Sequence, residues 1–270
     1  MTWLLNKKIV VIGGTTGMGL SAALAFVREG AQVIVVGRDP ESCKKAELLL
    51  KSNGKALNGD AIYEKTAQQA IDLCINMYGD FNGLYHVAGG SGRKYGDGPL
   101  HELTLEGWNK TFELNLTSLM LSNQAAVKTF LSRNIWNPDA SGTEGVVLNM
   151  GSVLGSAPST TYFTTHAYAA SKSAVTGFIK ATAAYYAKNN IRINGLYPAL
   201  VETPMAQRAA QDDKIMDFIK TKQPLDGGRI GAPEDLDGAA VYFMSDYAKF
   251  TTGQILMVDG GWTISEGQIV

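Results

Sequence analysis

The run Ile9-Val-Val-Ile-Gly-Gly-Thr-Thr-Gly-Met-Gly-Leu20 decides how this chain is read. Four apolar β-branched residues, Ile9 to Ile12, have the character of a buried parallel strand. Gly13 to Gly19 follow at once, and a helical pattern begins at Leu20. A strand, a glycine-rich turn and a helix form a cradle for a dinucleotide. Glycine lets the backbone turn sharply and approach a pyrophosphate, while the unpaired N–H groups at the start of the helix attract its negative charge. Gly13, Gly17 and Gly19 shape the turn, with Thr15, Thr16 and Met18 between them in the cradle. A tight strand-to-helix turn without a ligand is the plain alternative for a glycine cluster. Its position directly after the first strand argues against that.

Working outward, similar apolar runs recur at Val33–Val36, Leu84–Val87, Val146–Met150, Ile191–Tyr197 and Ile255–Val258, with a weaker one at Lys55–Asn58. Helix-like stretches lie between them: Gly19–Glu29, Glu41–Lys51, Thr66–Tyr78, Glu106–Ser132 and Ala169–Lys188. Each is long enough to cross over between parallel strands. The expectation is an α/β chain, a single-domain Rossmann fold over 1–270 with a doubly wound parallel sheet of about seven strands and helices on both faces. Asp39-Pro40-Glu41 predicts an N-cap, a first-turn proline and a first-turn acid, and Thr203-Pro204 repeats that device. Asn134–Gly145 and Ala199–Arg229 resist assignment, and long irregular segments in a compact domain often carry function.

Composition narrows the function classes. With 24 basic and 25 acidic side chains the net charge is −1, and 45% hydrophobic residues rule out intrinsic disorder. No run of Lys or Arg exceeds two residues, so nucleic acid is an unsuitable partner. The two cysteines, Cys43 and Cys74, build neither a disulfide scaffold nor a four-ligand zinc site, and a reducing cytoplasm is expected. Met1–Lys8 lacks the apolar core of a signal peptide, and no segment reaches the roughly 20 apolar residues of a membrane span. His86, His101 and His166 have no acidic partners at ligand spacing, so no metal is expected; His166, two before Tyr168, is placed at the pocket.

Chemistry concentrates in Tyr168-Ala-Ala-Ser-Lys172, where a phenol and an ammonium four residues apart share one helix face. Free tyrosine titrates near 10, and a fixed cation beside it stabilises the phenolate and lowers that value, making Tyr168 a general acid/base. Taken alone, the pair is also what an ordinary amphipathic face would show. Ser152 follows the run Val146–Met150 at its carboxyl end, where ligands bind in open α/β sheets, and its hydroxyl is suited to a substrate oxygen. Asn115 sits in a helix-like stretch between Leu114 and Leu116, where burial disfavours an amide, so it too is expected to have a task. After the second strand, Gly37 is followed by Arg38 and Asp39. Arg38 favours the 2′-phosphate of NADP, with NAD the alternative, because Asp39 already serves as a helix cap.

With these motifs in order, the chain from about Lys7 to Trp262 resembles the short-chain dehydrogenase/reductase family of the single-domain, 250-residue type. The family's glycine turn matches Gly13, Gly17 and Gly19, and its Asn-Ser-Tyr-Lys tetrad matches Asn115, Ser152, Tyr168 and Lys172. Asp60 stands where the family contacts adenine, and Gly231–Asp235 and Gly253–Gly261 resemble its closing segments. The resemblance implies an NAD(P)-dependent oxidoreductase acting on a ketone or secondary alcohol. In it Tyr168 exchanges the proton, Ser152 orients the oxygen, Lys172 holds the nicotinamide ribose and lowers the Tyr168 pKa, and Asn115 keeps a relay water. It adds Ala88, Gly89, Pro198, Val201 and Thr203 to the cofactor contacts and implies a homotetramer, with Ala181–Ala187, including Tyr185 and Tyr186, as one packing surface. Three departures stand out. His86-Val87-Ala88-Gly89 replaces a stretch that carries two amides, Pro198-Ala199 replaces Pro-Gly, and Ile12 replaces the usual Thr. Ser152 and Tyr168 stand 16 positions apart, which enlarges the intervening loop. A nucleotide-binding regulator without catalysis is the rival reading, and the complete tetrad argues against it.

The pocket walls are expected from Gly90–Gly98, Val153–His166 and Ala199–Phe218, with Met205 and Met216 as lid residues. Arg93 and Lys94 suit an anionic group, while the hydroxyls of Ser156, Ser159, Thr160, Thr161, Tyr162, Thr164 and Thr165 suit a small polar ketone, polyol or sugar. The alternative for those hydroxyls is that they satisfy their own loop's backbone.

Overall fold

The computed structural model describes residues 2–132 and 145–268. In chain order the strands and helices are β1 (Lys8–Ile12), α1 (Gly17–Arg28), β2 (Gln32–Gly37), α2 (Pro40–Leu50), β3 (Gly54–Asn58), α3 (Glu64–Tyr78), β4 (Gly83–His86) and α4 (Leu105–Phe112). There follow α5 (Ser118–Ser132), β5 (Gly145–Met150), α6 (His166–Tyr186), β6 (Ile191–Pro198), α7 (Gln207–Ala210), α8 (Asp213–Lys222), α9 (Asp237–Met244) and β7 (Ile255–Val258). The strands form one seven-stranded sheet in the order β3-β2-β1-β4-β5-β6-β7, and every pairing is parallel.

Alternation along the strands distributes the apolar residues between two cores. Ile9, Val11, Val33 and Val35 point to one face, where Ala22, Phe26, Ala46 and Phe243 of α1, α2 and α9 cover them. Val10, Ile12, Ile34 and Val36 point to the other, against Ala70, Ile71, Ala126, Val175 and Ile179 of α3, α5 and α6. Because both faces are covered, the strands read as unbroken apolar runs. The chain order reverses at β1, which pairs with β2 on one side and β4 on the other. This reversal opens a crevice at the carboxyl ends of the strands, where such sheets bind ligands.

The expected elements are present with ends shifted by up to three residues, but two differ in kind. The single helix expected over Glu106–Ser132 is α4 and α5 joined by a π turn at Glu113–Thr117. Thr203 does not cap through its side chain; its hydroxyl donates to the Val201 carbonyl at 3.4 Å, and only a short turn, Pro204–Ala206, follows. Asp39, by contrast, caps α2 as expected, accepting from the Ser42 amide at 2.8 Å. Ala199–Arg229 holds α7 and α8. Of the other unassigned stretch, Gly145 opens β5 and 134–144 lie outside the described residues.

Candidate active site

The β1–α1 turn has the form a pyrophosphate requires. Gly13 holds φ +82°, and a β-carbon there would stand 2.6 Å from the Ala88 amide nitrogen. That amide and the neighbouring Val87 amide both donate to the Ile12 carbonyl, locking the end of β4 beside the turn. Gly17 is also left-handed, at φ +53°, and lies against Thr203. No side chain caps the start of α1 and no acid occupies its first turn, so its amides and positive end face the groove without competition. A groove of about 330 Å³ runs from this turn along Gly37, Arg38 and Asp60 and past Ala88 and Gly89. Gly13, Thr15, Thr16, Gly17, Met18, Arg38, Asp60, Ala88, Gly89 and Thr203 all line it. Gly19 does not. A β-carbon at Gly19 would collide with the Gly13 carbonyl, so this glycine serves the packing of turn on helix.

At the end of β2, Arg38 approaches Asp60 at 3.7 Å with its side chain largely in solvent. Asp39 turns away, accepting from the Ser42 hydroxyl at 2.6 Å as well as from its amide, and these bonds hold its carboxyl below the usual range. The cation therefore faces the groove, and the adjacent acid is committed to α2.

A second cavity of about 310 Å³ shares Met18, Val87, Gly89, Thr203 and Met205 with the groove, so the two form one continuous cleft. Asn115, Ser152, Tyr168 and Lys172 all line it, as do Pro198 and Val201. They arrive from the π turn, the end of β5 and two successive turns of α6. Lys172 is buried, its ammonium donating to the Met150 carbonyl at 3.0 Å, and loss of hydration pulls it down to about 8. The expected lowering of Tyr168 by this cation is not what the environment produces. Burial pushes the phenol above its ordinary value, and hydrogen bonding with Ser152 opposes the rise. The reason is geometric: the Lys172 ammonium lies 5.7 Å from the centre of the Tyr168 ring and is directed at a carbonyl.

Asn115 is wholly buried in the π turn, where one extra residue in the hydrogen-bonded loop displaces the backbone ladder. Its amide nitrogen donates to the Thr111 carbonyl one turn back and to the Gly90 carbonyl, each at 2.8 Å. Its oxygen accepts from the Gly90 amide at 3.0 Å. Asn115 thus clamps the segment beyond β4 against the cleft, and a β-carbon on Gly89 would press on its oxygen at 2.7 Å. His86, which departs from the family pattern, is buried with Ser122 Oγ 2.7 Å from one ring nitrogen and Ser118 Oγ 3.5 Å from the other. Burial and the Lys172 charge pull it down to about 3, so it is a neutral packing group. His166 is exposed and does not line the cavity, contrary to expectation, because the first turn of α6 points it outward. The described residues contain no cluster of three metal-ligating side chains.

Several residues that shape the cavity were not singled out in the sequence. Asp97, buried in the β4–α4 connection, accepts from the Ala167 amide at 2.9 Å and the Tyr168 amide at 3.0 Å, fixing the start of the helix that carries Tyr168. Phe163, Leu154, Leu200 and Trp262 supply apolar wall, the last donating its indole N–H to the Ala157 carbonyl at 3.0 Å. Arg208 on α7 also lines it. Of the expected pair Arg93 and Lys94, Arg93 lines the cavity, whereas Lys94 sits over its neighbour Tyr95. Of the loop hydroxyls thought to suit a polyol, Thr165 alone reaches the cavity, and the Ser156 hydroxyl serves its own loop by donating to the Val153 carbonyl. Met205 lines the cleft and Met216 does not.

Comparison with known proteins agrees with this geometry. A family model described as enoyl-(acyl carrier protein) reductase matches residues 13–263. The 2-(S)-hydroxypropyl-CoM dehydrogenase 3 of Xanthobacter autotrophicus is 30% identical over 96% of this chain and 97% of its own. The gluconate 5-dehydrogenase of Gluconobacter oxydans is 29% identical over 96% of each. A solved short-chain type dehydrogenase/reductase from Mycobacterium ulcerans superposes with a TM-score of 0.84 at 27% identity, over 98% of this chain and 92% of that one. The chain belongs to the short-chain dehydrogenase/reductase family. Its dehydrogenase relatives support an oxidoreductase of the alcohol dehydrogenase type, with a nicotinamide cofactor and a small-molecule substrate. No helix among the described residues is long and apolar enough to cross a membrane.

Proposed function

We propose that this protein interconverts a ketone and a secondary alcohol, with Tyr168 as general acid/base and NADP as the favoured nucleotide. The observation that carries the reading is the meeting of Asn115, Ser152, Tyr168 and Lys172 on one cavity continuous with the glycine-lined groove. The nucleotide supplies or accepts the hydride when bound. Gly13, Thr15, Thr16, Gly17 and Met18 would hold its pyrophosphate against the start of α1, and Ala88, Gly89, Pro198, Val201 and Thr203 would line its course into the cavity. Ser152 donates a hydrogen bond to the reacting oxygen, and Tyr168 gives that oxygen its proton or takes it away. Lys172 would hold the nicotinamide ribose from the wall of the cavity. The free lone pair of the Asn115 oxygen suits a relay water.

NADP is favoured because Arg38 faces the groove while Asp39 is occupied in capping α2. The two buried thiols, Cys43 and Cys74, suit a reducing cytoplasm. A homotetramer of single-domain chains is part of the same reading, with the outer face of α6 around the 63%-exposed Tyr185 as one contact surface. Static light scattering that returned 28.9 kDa would remove that part.

The experiment is a panel of ketones with NADPH and NADH, and of secondary alcohols with NADP and NAD, followed at the absorbance of the reduced nicotinamide. Turnover with at least one pair, more efficient with the phosphorylated nucleotide, is expected. Nucleotide binding without turnover on any member would favour a regulator.

A further inference from the structure

Arg93 and Arg208 reach the substrate cavity from two different connections, the first after β4 and the second on α7 after β6. With Lys172 they put three cationic side chains in its wall, and the wall contains no aspartate or glutamate. Lys172 is directed at the Met150 carbonyl beside the tetrad, which leaves the two guanidinium groups as the cations of the outer cavity.

Neither forms an ion pair with a carboxylate among the described residues. Arg93 donates to the Tyr162 carbonyl at 3.4 Å, a neutral acceptor that ties it to the loop before α6. Among the described residues Arg208 makes no ion pair. The carboxylate whose charge reaches Arg93 is Asp97, and both of its oxygens are taken by the Ala167 and Tyr168 amides. Both side chains line the same cavity, and partial burial together with the positive charge of Arg208 pulls Arg93 below its ordinary value, with the Asp97 charge opposing. Both residues are exposed at the cavity, so solvent tempers their mutual repulsion, and an anion held between two such cations is favourably placed. The guanidinium fork matches an oxyanion with two parallel hydrogen bonds.

We propose that Arg93 and Arg208 form an anion subsite, and that the substrate is a ketone or secondary alcohol whose far end carries an oxyanion group such as a carboxylate, sulfonate or phosphate. This rests on the oxidoreductase reading above. The carbon body joining the two ends lies along Phe163, Leu154, Leu200 and Trp262, an apolar stretch that a polyol would leave unmatched. Specificity divides between the ends: Ser152 and Tyr168 select the reacting oxygen, and the arginines select the charge.

The test uses 4-oxopentanoate, 5-oxohexanoate and their methyl esters, with the NADP-loaded protein for binding, where no hydride is available to reduce them, and with NADPH for turnover. Titration calorimetry should show at least one keto acid binding about tenfold or more tightly than its ester. In Arg93→Gln and in Arg208→Gln the acid-to-ester ratio of affinities should fall about threefold or more, and in the double variant it should approach one. Arg208→Lys, which keeps the charge but loses the fork, should fall between native and Arg208→Gln. The acid-to-ester ratio of kcat/KM should follow the same order. Acid and ester binding alike in the native protein, or an acid preference that survives in the double variant, would overturn the subsite, as would failure of every probe to bind. An arginine-dependent acid preference without turnover on any substrate would leave the subsite standing and sink the oxidoreductase reading instead.

Discussion

The two halves of the cleft are made from different materials. The nucleotide half is backbone: the left-handed glycines at 13 and 17, the uncapped start of α1, and the ends of β1, β2 and β4 held in register by the sheet. The substrate half is side chain: Arg93, Leu154, Phe163, Leu200, Arg208 and Trp262 come from separate connections and the turn after β7. Backbone grooves fit whatever shares the dinucleotide skeleton, whereas side-chain walls are re-made with each substrate. One scaffold can therefore keep its cofactor while changing what it acts upon.

The sharpest way to separate the halves is at Tyr168, the cavity residue to which the proposed proton transfer falls. Tyr168→Phe is expected to lower kcat by about 10² to 10⁴-fold, since it deletes the transferable proton and little volume. Steady-state assay on the best substrate of the panel checks this, and wild-type turnover would remove Tyr168 from the mechanism.

A smaller effect sharpens the nucleotide half. Arg38→Asp is expected to reduce the ratio of NADP to NAD affinity by about tenfold or more, because a charge-assisted bond is replaced by repulsion of the 2′-phosphate. Nucleotide titration by fluorescence measures the ratio, and an unchanged value would place the 2′-phosphate elsewhere.

Next in size is the pH response of the buried end of β4. His86 is pulled to about 3 in the folded chain but titrates near 6.5 when unfolded, so between these values the unfolded state binds more protons. Stability must fall as pH drops below about 6.5, by up to about 1.4 kcal/mol per pH unit from this group. Urea unfolding from pH 6.5 to 4.5 should show a shallower loss in His86→Gln than in the native chain. Parallel losses would mean that His86 is not the group responsible.

The smallest effect concerns the support of Tyr168. Asp97→Ala removes the carboxylate that accepts from two amides at the start of α6, and a loss of about 1–2 kcal/mol is expected in urea unfolding. Asp97→Asn should recover part of it, because the amide oxygen still accepts. A stability unchanged by Asp97→Ala would show that α6 is fixed by its packing alone.

The same division explains what could be read before the structure. Gly13 and Gly17 are legible because a tight turn directly after a strand constrains residue type at fixed offsets, and strand and helix periods place that turn in the sheet. Asn115 was suspicious as an amide between leucines, but the π turn that frees the Thr111 carbonyl for it has no periodic signature. Arg208 and Trp262 were invisible as site residues, since a residue on an irregular connection meets the cavity through tertiary packing. The hydroxyl-rich loop misled for the same reason: composition says which groups it carries, and not that Phe163 turns inward while most of its hydroxyls stay outside the cavity.

That the halves are separable is tested most directly by titrating NADPH into Gly13→Val and Tyr168→Phe. A branched side chain at φ +82°, facing the Ala88 backbone, closes the groove, so Gly13→Val should lose nucleotide affinity by about 100-fold or more. Tyr168→Phe should keep its affinity within about twofold while turnover is lost. Strong NADPH binding by a folded Gly13→Val protein, or loss of NADPH binding in Tyr168→Phe comparable to its loss of turnover, would contradict the account.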